Sequence, residues 1–70
     1  MQKGTIKMSE LVNRWAVTKG YDKGAKVELH RFGNGEEHYT GITRIGSPYN
    51  IESKEEAEKI IKNFGMELVY

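Results

Sequence analysis

The sequence AKVELHRFGNGEEHYTGITRI, residues 25–45, decides the fold of this chain. Two runs that are rich in β-forming residues, 25–32 and 37–45, flank the turn Gly33-Asn34-Gly35-Glu36. Asn-Gly is the strongest short-range signal for a β-hairpin because both residues adopt positive φ readily. The segment therefore predicts two antiparallel strands joined at Asn34-Gly35.

Placing Asn34 and Gly35 at the centre of the turn fixes an expected register. The numbers of opposed residues then add up to 69, so that Val27 faces Ile42, Leu29 faces Thr40 and Arg31 faces His38. The helix-covered side would carry Val27, Leu29 and Ile42, and the other side His30, Phe32, Tyr39 and Ile45, which is too apolar for a face open to water. A bulge at Gly41 is the alternative, and it would turn Tyr39 to the side of Ile42.

Residues 53–64 show the pattern of an amphipathic helix. Their apolar side chains recur at the spacing i, i+3, i+4 and i+7, in Ala57, Ile60, Ile61 and Phe64. Ser53 and Glu56 form a capping box, and Gly65 suits the left-handed position just past a helix end. The segment therefore predicts a helix with one face on the core.

A short alternating segment, residues 66–70, predicts a third strand after the helix. We expect it to run parallel to residues 37–45 and favour a position beside residues 25–32; a position beside residues 37–45, through a right-handed crossover, is the alternative. The expected fold is a single α+β domain over residues 1–70, in which one amphipathic helix packs on a small, three-stranded, mainly antiparallel sheet.

The N-terminal part predicts a second, short helix. Apolar residues from Met8 to Ala16 fit helical spacing, Ser9 suits an N-cap, and Gly20 lies just past the end, so we expect a helix over residues 9–19. A strand is the alternative, because Val12, Val17 and Thr18 favour extended structure. Residues 21–26 and 46–50 are expected to be loops, with Pro48 ending the second strand.

Composition narrows the class of protein. The 70 residues contain no cysteine, no long apolar run and no recognisable secretory signal, so we expect a cytoplasmic protein. The net charge is +1, but residues 1–31 carry +4 and residues 32–70 carry −3. One reading of this asymmetry is a basic patch that binds phosphates or an acidic partner. The other is an ordinary solvated surface whose charges are segregated by sign, and the single spacing of the cations favours this other reading.

No pattern of residues predicts catalysis. His30 and His38 lie on opposite arms of the hairpin but do not face each other in the expected register, and no cysteine or carboxylate pair completes a metal site. The Gly33-Asn34-Gly35 segment precedes a strand rather than a helix, which is unlike a phosphate-binding loop. We therefore expect a protein that is not an enzyme and that uses no cofactor or metal.

Three segments carry a family resemblance: Lys26-Val27-Glu28-Leu29-His30-Arg31-Phe32, the helix start Ser53-Lys54-Glu55-Glu56-Ala57, and Met66-Glu67-Leu68-Val69-Tyr70. With the hairpin between them, the chain resembles the Yopt family of small uncharacterised prophage proteins. The resemblance implies a homodimer whose subunit has one helix and three strands. It carries over no activity, ligand or catalytic residue.

Two functions follow as expectations. The first is a non-catalytic protein–protein interaction module, homodimeric and acting as a phage or prophage accessory factor, with its dimer interface at Phe32, Tyr39, Leu68, Val69 and Tyr70. The alternative is a small nucleic-acid-binding regulator, in which Phe32 and Tyr39 stack bases. Its basic contacts would be Arg14, Lys19, Lys23, Lys26 and Arg31.

Overall fold

The computed structural model describes residues 9–70. They form one antiparallel sheet in the order β4-β3-β2-β1-β5, with a helix packed on one face. The elements are β1 (Ser9–Ala16), β2 (Lys26–Phe32), β3 (Glu37–Ile42), β4 (Pro48–Ile51), α1 (Lys54–Phe64) and β5 (Glu67–Leu68). The class is α+β, but the expected three-stranded sheet is wrong, as is the strand count that the family resemblance implies. Within the described part of the chain, no helix is long and apolar enough to cross a membrane.

The expected N-terminal helix is a strand, β1, that pairs with β2 on one side and β5 on the other. Trp15 lies opposite Val27, so the strand contributes to the core. The pairing shifts between Leu11 and Asn13, which leaves Val12 as a bulge. An extra residue breaks the alternation that identifies a strand, and pairing on both sides overrides a weak helix preference.

Strand β4 also lies where a loop is expected. Pro48 begins this strand rather than ending the previous one, and at the edge of the sheet its missing N–H removes no ladder hydrogen bond. The extra strand reverses the chain once more before α1. Strand β5 therefore lies antiparallel beside β1 instead of beside either arm of the hairpin, so both expected strand orders are wrong.

The hairpin forms, but its register differs by one residue from the expected one. The N–H of Phe32 donates to the carbonyl of Glu36 at 2.8 Å, which makes a three-residue loop. Only Gly35 in this loop has positive φ, 90°, and the Asn34 side chain accepts from the N–H of Glu36. A two-residue turn would need positive φ at Asn34 as well.

The new register changes which residues share a face. Leu29 lies opposite Tyr39, and Val27 lies opposite Gly41. Tyr39 thus lies on the side of Val27, whereas Ile42 lies on the other side and no bulge occurs at Gly41. The expected pairings of Val27 with Ile42 and of Leu29 with Thr40 are wrong.

The sequence prediction for α1 is confirmed. Its N-cap Ser53 accepts a hydrogen bond from the N–H of Glu56 at 3.1 Å, and the Glu56 carboxylate accepts from the N–H of Glu52. At the other end Gly65 adopts φ 65°, the left-handed conformation, and its N–H bonds to the last turn. These hydrogen bonds are local to the helix ends and satisfy part of the backbone groups that a helix leaves unpaired there.

We call the face under α1 the helix-covered face, defined by Trp15, Val27, Leu29, Tyr39 and Ile51. Val27 is fully buried and packs in a small core with Ile51, Ala57 and Met66. On the opposite face, which we call the open face, lie Arg14, Glu28, His30, Phe32 and His38. None of the elements formed by residues 9–70 packs on that face.

Candidate functional site

A groove lies between the start of α1 and the helix-covered face. Its volume is about 560 Å³, and its floor contains Trp15, Leu29, Tyr39 and Ile51. Its charged lining residues are Glu37, Glu52, Lys54 and Glu58. Among residues 9–70, no group of three or more histidine, cysteine or carboxylate side chains is placed to hold a metal ion. The groove therefore offers space and an apolar floor.

The polar group on the open face is an ion network centred on Glu28. One carboxylate oxygen accepts from Arg14 Nε at 2.8 Å, and the other lies 3.0 Å from His30 Nε2. Burial raises the pKa of the Glu28 carboxyl, but the hydrogen bonds from His30 and Arg14 outweigh it and lower this pKa below its usual value. Arg14, an expected nucleic-acid contact, is therefore committed to an ion pair.

The two aromatic residues expected to share a face do not. Phe32 lies on the open face, where its ring meets His38 edge-on with centroids 4.9 Å apart. Tyr39 lies on the helix-covered face, in the groove. A one-residue shift in register changes which side chains of two paired strands share a face. The expectation that Phe32 and Tyr39 share a face is therefore wrong.

The shift also brings the two histidines together. His30 lies directly opposite His38, contrary to the expected offset, while Arg31 faces Glu37 instead of His38. Arg31 Nη2 donates to Glu37 Oε2 at 2.8 Å, so a second expected nucleic-acid contact is engaged in an ion pair. Each histidine has a glutamate two residues earlier within hydrogen-bond distance.

The remaining three basic candidates lie together at one end of the sheet. Lys19 and Lys23 are exposed in the connection from β1 to β2, and Lys26 begins β2 with its Nζ 3.0 Å from the carbonyl of Gly24. Arg44, in the neighbouring connection from β3 to β4, was missed by the sequence analysis. The sequence analysis placed Arg44 in the second hairpin strand, whereas strand β4 makes residues 43–47 a connection at the same end of the sheet as Lys19 and Lys23.

The C-terminal residues expected at a dimer interface lie along one edge of the sheet. Leu68, Val69 and Tyr70 are 60%, 49% and 64% exposed, and Phe64 at the end of α1 is 44% exposed. The backbone N–H of Val69 donates to the carbonyl of Arg14 at 2.8 Å, which holds this segment against β1. Three of the five expected interface residues thus form one exposed apolar segment.

No family model, curated protein or solved structure matches this chain, so its likeness to the Yopt family stays a prediction.

Proposed function

We propose that this protein is a non-catalytic interaction protein that acts as a homodimer, in which two copies pair along the segment Leu68-Val69-Tyr70. The observation that carries the proposal is the exposure of three consecutive large apolar residues on an edge of the sheet. Action in the cytoplasm, as an accessory factor of a phage or prophage, is part of the same proposal.

The two edges of the sheet differ in what they offer a partner strand. Strand β4 begins with Pro48, which cannot donate a hydrogen bond, and Asn50 gives it a polar residue. Strand β5 and the residues after it contain no proline, and Glu67 is their single charged side chain. An edge of the second kind is the one that pairs with another chain.

The geometry of the edge suits a twofold pair. The inner side of the segment is occupied by its hydrogen bonds to Arg14, so a partner strand would meet the outer side. An antiparallel pair of such edges would join two five-stranded sheets into one, with the same residues contributed by each copy. The aromatic-face version of the dimer loses its support, because Phe32 and Tyr39 lie on opposite faces.

A dimer also supplies apolar burial that the subunit lacks. Only Val27 among the larger side chains of residues 9–70 is fully buried, and the chain has no disulfide. Domains of this size gain little margin from a single core, and association is one way to enlarge it.

Sedimentation equilibrium tests the proposal. Between about 5 and 200 µM, a range that covers the affinities of modest interfaces, the protein should return twice its 8.0 kDa monomer mass. Leu68→Lys should shift it toward the monomer, because two copies would bring lysines together in an apolar contact.

Ile45→Lys is the matched control. Ile45 is 76% exposed in a connection away from the C-terminal segment, so the same change there should leave the dimer intact. Far-ultraviolet circular dichroism of both variants checks that the fold is kept. A monomer mass for the unchanged protein, or a Leu68→Lys variant as dimeric as the control, would contradict the proposal.

A further inference from the structure

Two connections meet at one end of the sheet, which we call the loop end. Residues 17–25 join β1 to β2, and residues 43–47 join β3 to β4. Both start from the same end because Ala16 pairs with Lys26, and Lys26 pairs with Ile42. The antiparallel order thus places Tyr21 and Arg44 side by side, although they are 23 positions apart in the sequence.

Tyr21 and Arg44 fix the two connections to each other. The Arg44 guanidinium lies 4.3 Å from the centroid of the Tyr21 ring, and its Nη2 donates to the Tyr21 hydroxyl at 2.7 Å. Tyr21 is nevertheless 79% exposed. The result is an aromatic ring that is held in place by a cation and remains accessible to a ligand.

The loop end is also a part of the described chain in which positive side chains outnumber negative ones. Arg44 contacts Tyr21, Lys19 and Lys23 lie in the same connection as Tyr21, and Lys26 follows this connection at the start of β2. Against the single carboxylate of Asp22, these four cations give this end a net side-chain charge of +3. The rest of residues 9–70 carries −4. A polyanion would therefore be drawn to this end and repelled by the remainder of the surface.

We propose that the loop end binds single-stranded nucleic acid, with phosphates on the four cations and a base stacked on Tyr21. An accessible aromatic ring among cations is the arrangement that non-specific single-strand binders use. A duplex offers no unstacked base for the ring. An anionic membrane fits less well, because Ile45 is the single exposed aliphatic side chain of the two connections.

This site differs from the one that the sequence suggests, since it excludes Arg14, Arg31, Phe32 and Tyr39 and adds Tyr21 and Arg44. It does not depend on dimer formation. The C-terminal segment and the loop end can be altered separately, so each proposal fails or survives on its own experiment.

Fluorescence anisotropy with a labelled deoxythymidine strand of about 16 nucleotides tests the inference. If all four cations contact phosphates, affinity should fall about fifty-fold between roughly 50 and 200 mM salt, from the dependence expected for single strands. The double variant Lys19→Gln/Lys23→Gln should fall only about sevenfold over the same range, because two phosphate contacts are gone.

The matched control is Lys54→Gln/Lys59→Gln, which removes the same charge from exposed helix positions. It should keep the salt dependence of the unchanged protein. Tyr21→Ser should weaken binding at least about fivefold, and Tyr21→Phe, which keeps the ring, should retain most of the affinity.

Four results would overturn the inference: no binding at about 50 mM salt, equal salt dependence in the two double variants, equal affinity for single strand and duplex, or undiminished binding by Tyr21→Ser. Vesicles containing anionic phospholipid serve as the competing ligand. Binding to vesicles without binding to the strand would assign the loop end to a membrane and would also overturn it.

Discussion

The helix-covered face and the open face of the same sheet are stabilised by different interactions. On the first, Val27 and Ile51 pack against α1, and cavities or clashes there disturb a close-packed interior. On the second, Glu28 binds Arg14 and His30 in an ion network, and the Arg14 and His30 side chains are partly exposed to water. Salt and water weaken such pairs, so single changes on the helix-covered face should cost more.

Gly41 provides the strongest test of this difference, because a side chain there has no room on the helix-covered face. The ring of Tyr49, the residue opposite in β4, covers Gly41 and occupies the position that a Cβ would take. Gly41→Ala should therefore displace the ring and lower the free energy of unfolding by about 1 to 3 kcal/mol. Urea denaturation, read from the midpoint and slope, measures the change.

A double-mutant cycle shows whether the ring is the cause. With Tyr49→Ala already present, the obstacle is gone and alanine suits a strand better than glycine. Gly41→Ala should then be neutral or stabilising in that background. The same loss in both backgrounds would mean that the backbone at residue 41, not the tyrosine ring, sets the cost.

The helix could be predicted from the sequence because its signals are local. Ser53, Gly65 and the apolar spacing between them all lie within the segment that they define. The hairpin strands β2 and β3 could be predicted too, but β1 could not, because it depends on partners on both sides and its Val12 bulge hides the alternation. Strand β4 was not predicted because a proline usually marks a loop, and its place at the edge of the sheet, where Pro48 is tolerated, depends on the strand order.

The candidate sites show the same division. The exposure of Leu68, Val69 and Tyr70 at an edge could be predicted because both positions expected for their strand, beside residues 25–32 or beside residues 37–45, are edges of the sheet. Phe32 and Tyr39 were assigned wrongly because their faces depend on whether Asn34 takes positive φ, which the Asn-Gly pair alone does not settle. The pairing of Tyr21 with Arg44 needs the strand order and had no sequence signal.

The N-cap of α1 tests how much the start of the helix that packs on the helix-covered face contributes to stability. Ser53→Ala removes the acceptor for the N–H of Glu56 and should cost about 1 kcal/mol. For a domain of this size, such a loss lowers the melting temperature by about 4 to 8 °C. Thermal unfolding followed by circular dichroism at fixed protein concentration measures it.

Ser47→Ala is the control for the cap. Ser47 is exposed in the connection from β3 to β4, and its side chain makes none of the hydrogen bonds found within residues 9–70. A surface change of this kind should stay within about 0.5 kcal/mol. If the two alanine variants have the same melting temperature, the hydrogen bond to the Ser53 hydroxyl does not stabilise the protein more than a bond to solvent does.

The open face should give the smallest effect and the one that depends on pH. Glu28→Gln keeps the shape of the side chain but removes the charge that Arg14 and His30 bind, and solvent exposure of Arg14 limits the expected loss to about 0.5 to 1 kcal/mol at pH 7. Because the pKa of Glu28 is lowered in the folded state, its stabilisation is complete above the unfolded pKa of about 4.3.

As the pH falls through the lowered folded pKa, Glu28 takes up a proton and the advantage over glutamine should disappear. Chemical denaturation from about pH 7 to pH 3 should therefore show the two unfolding free energies converging below about pH 4. Glu37→Gln is the control, since Glu37 and Arg31 are 42% and 47% exposed while Glu28 is 13% exposed. An equal loss from both changes would mean that the greater burial of Glu28 adds nothing to the strength of its ion network.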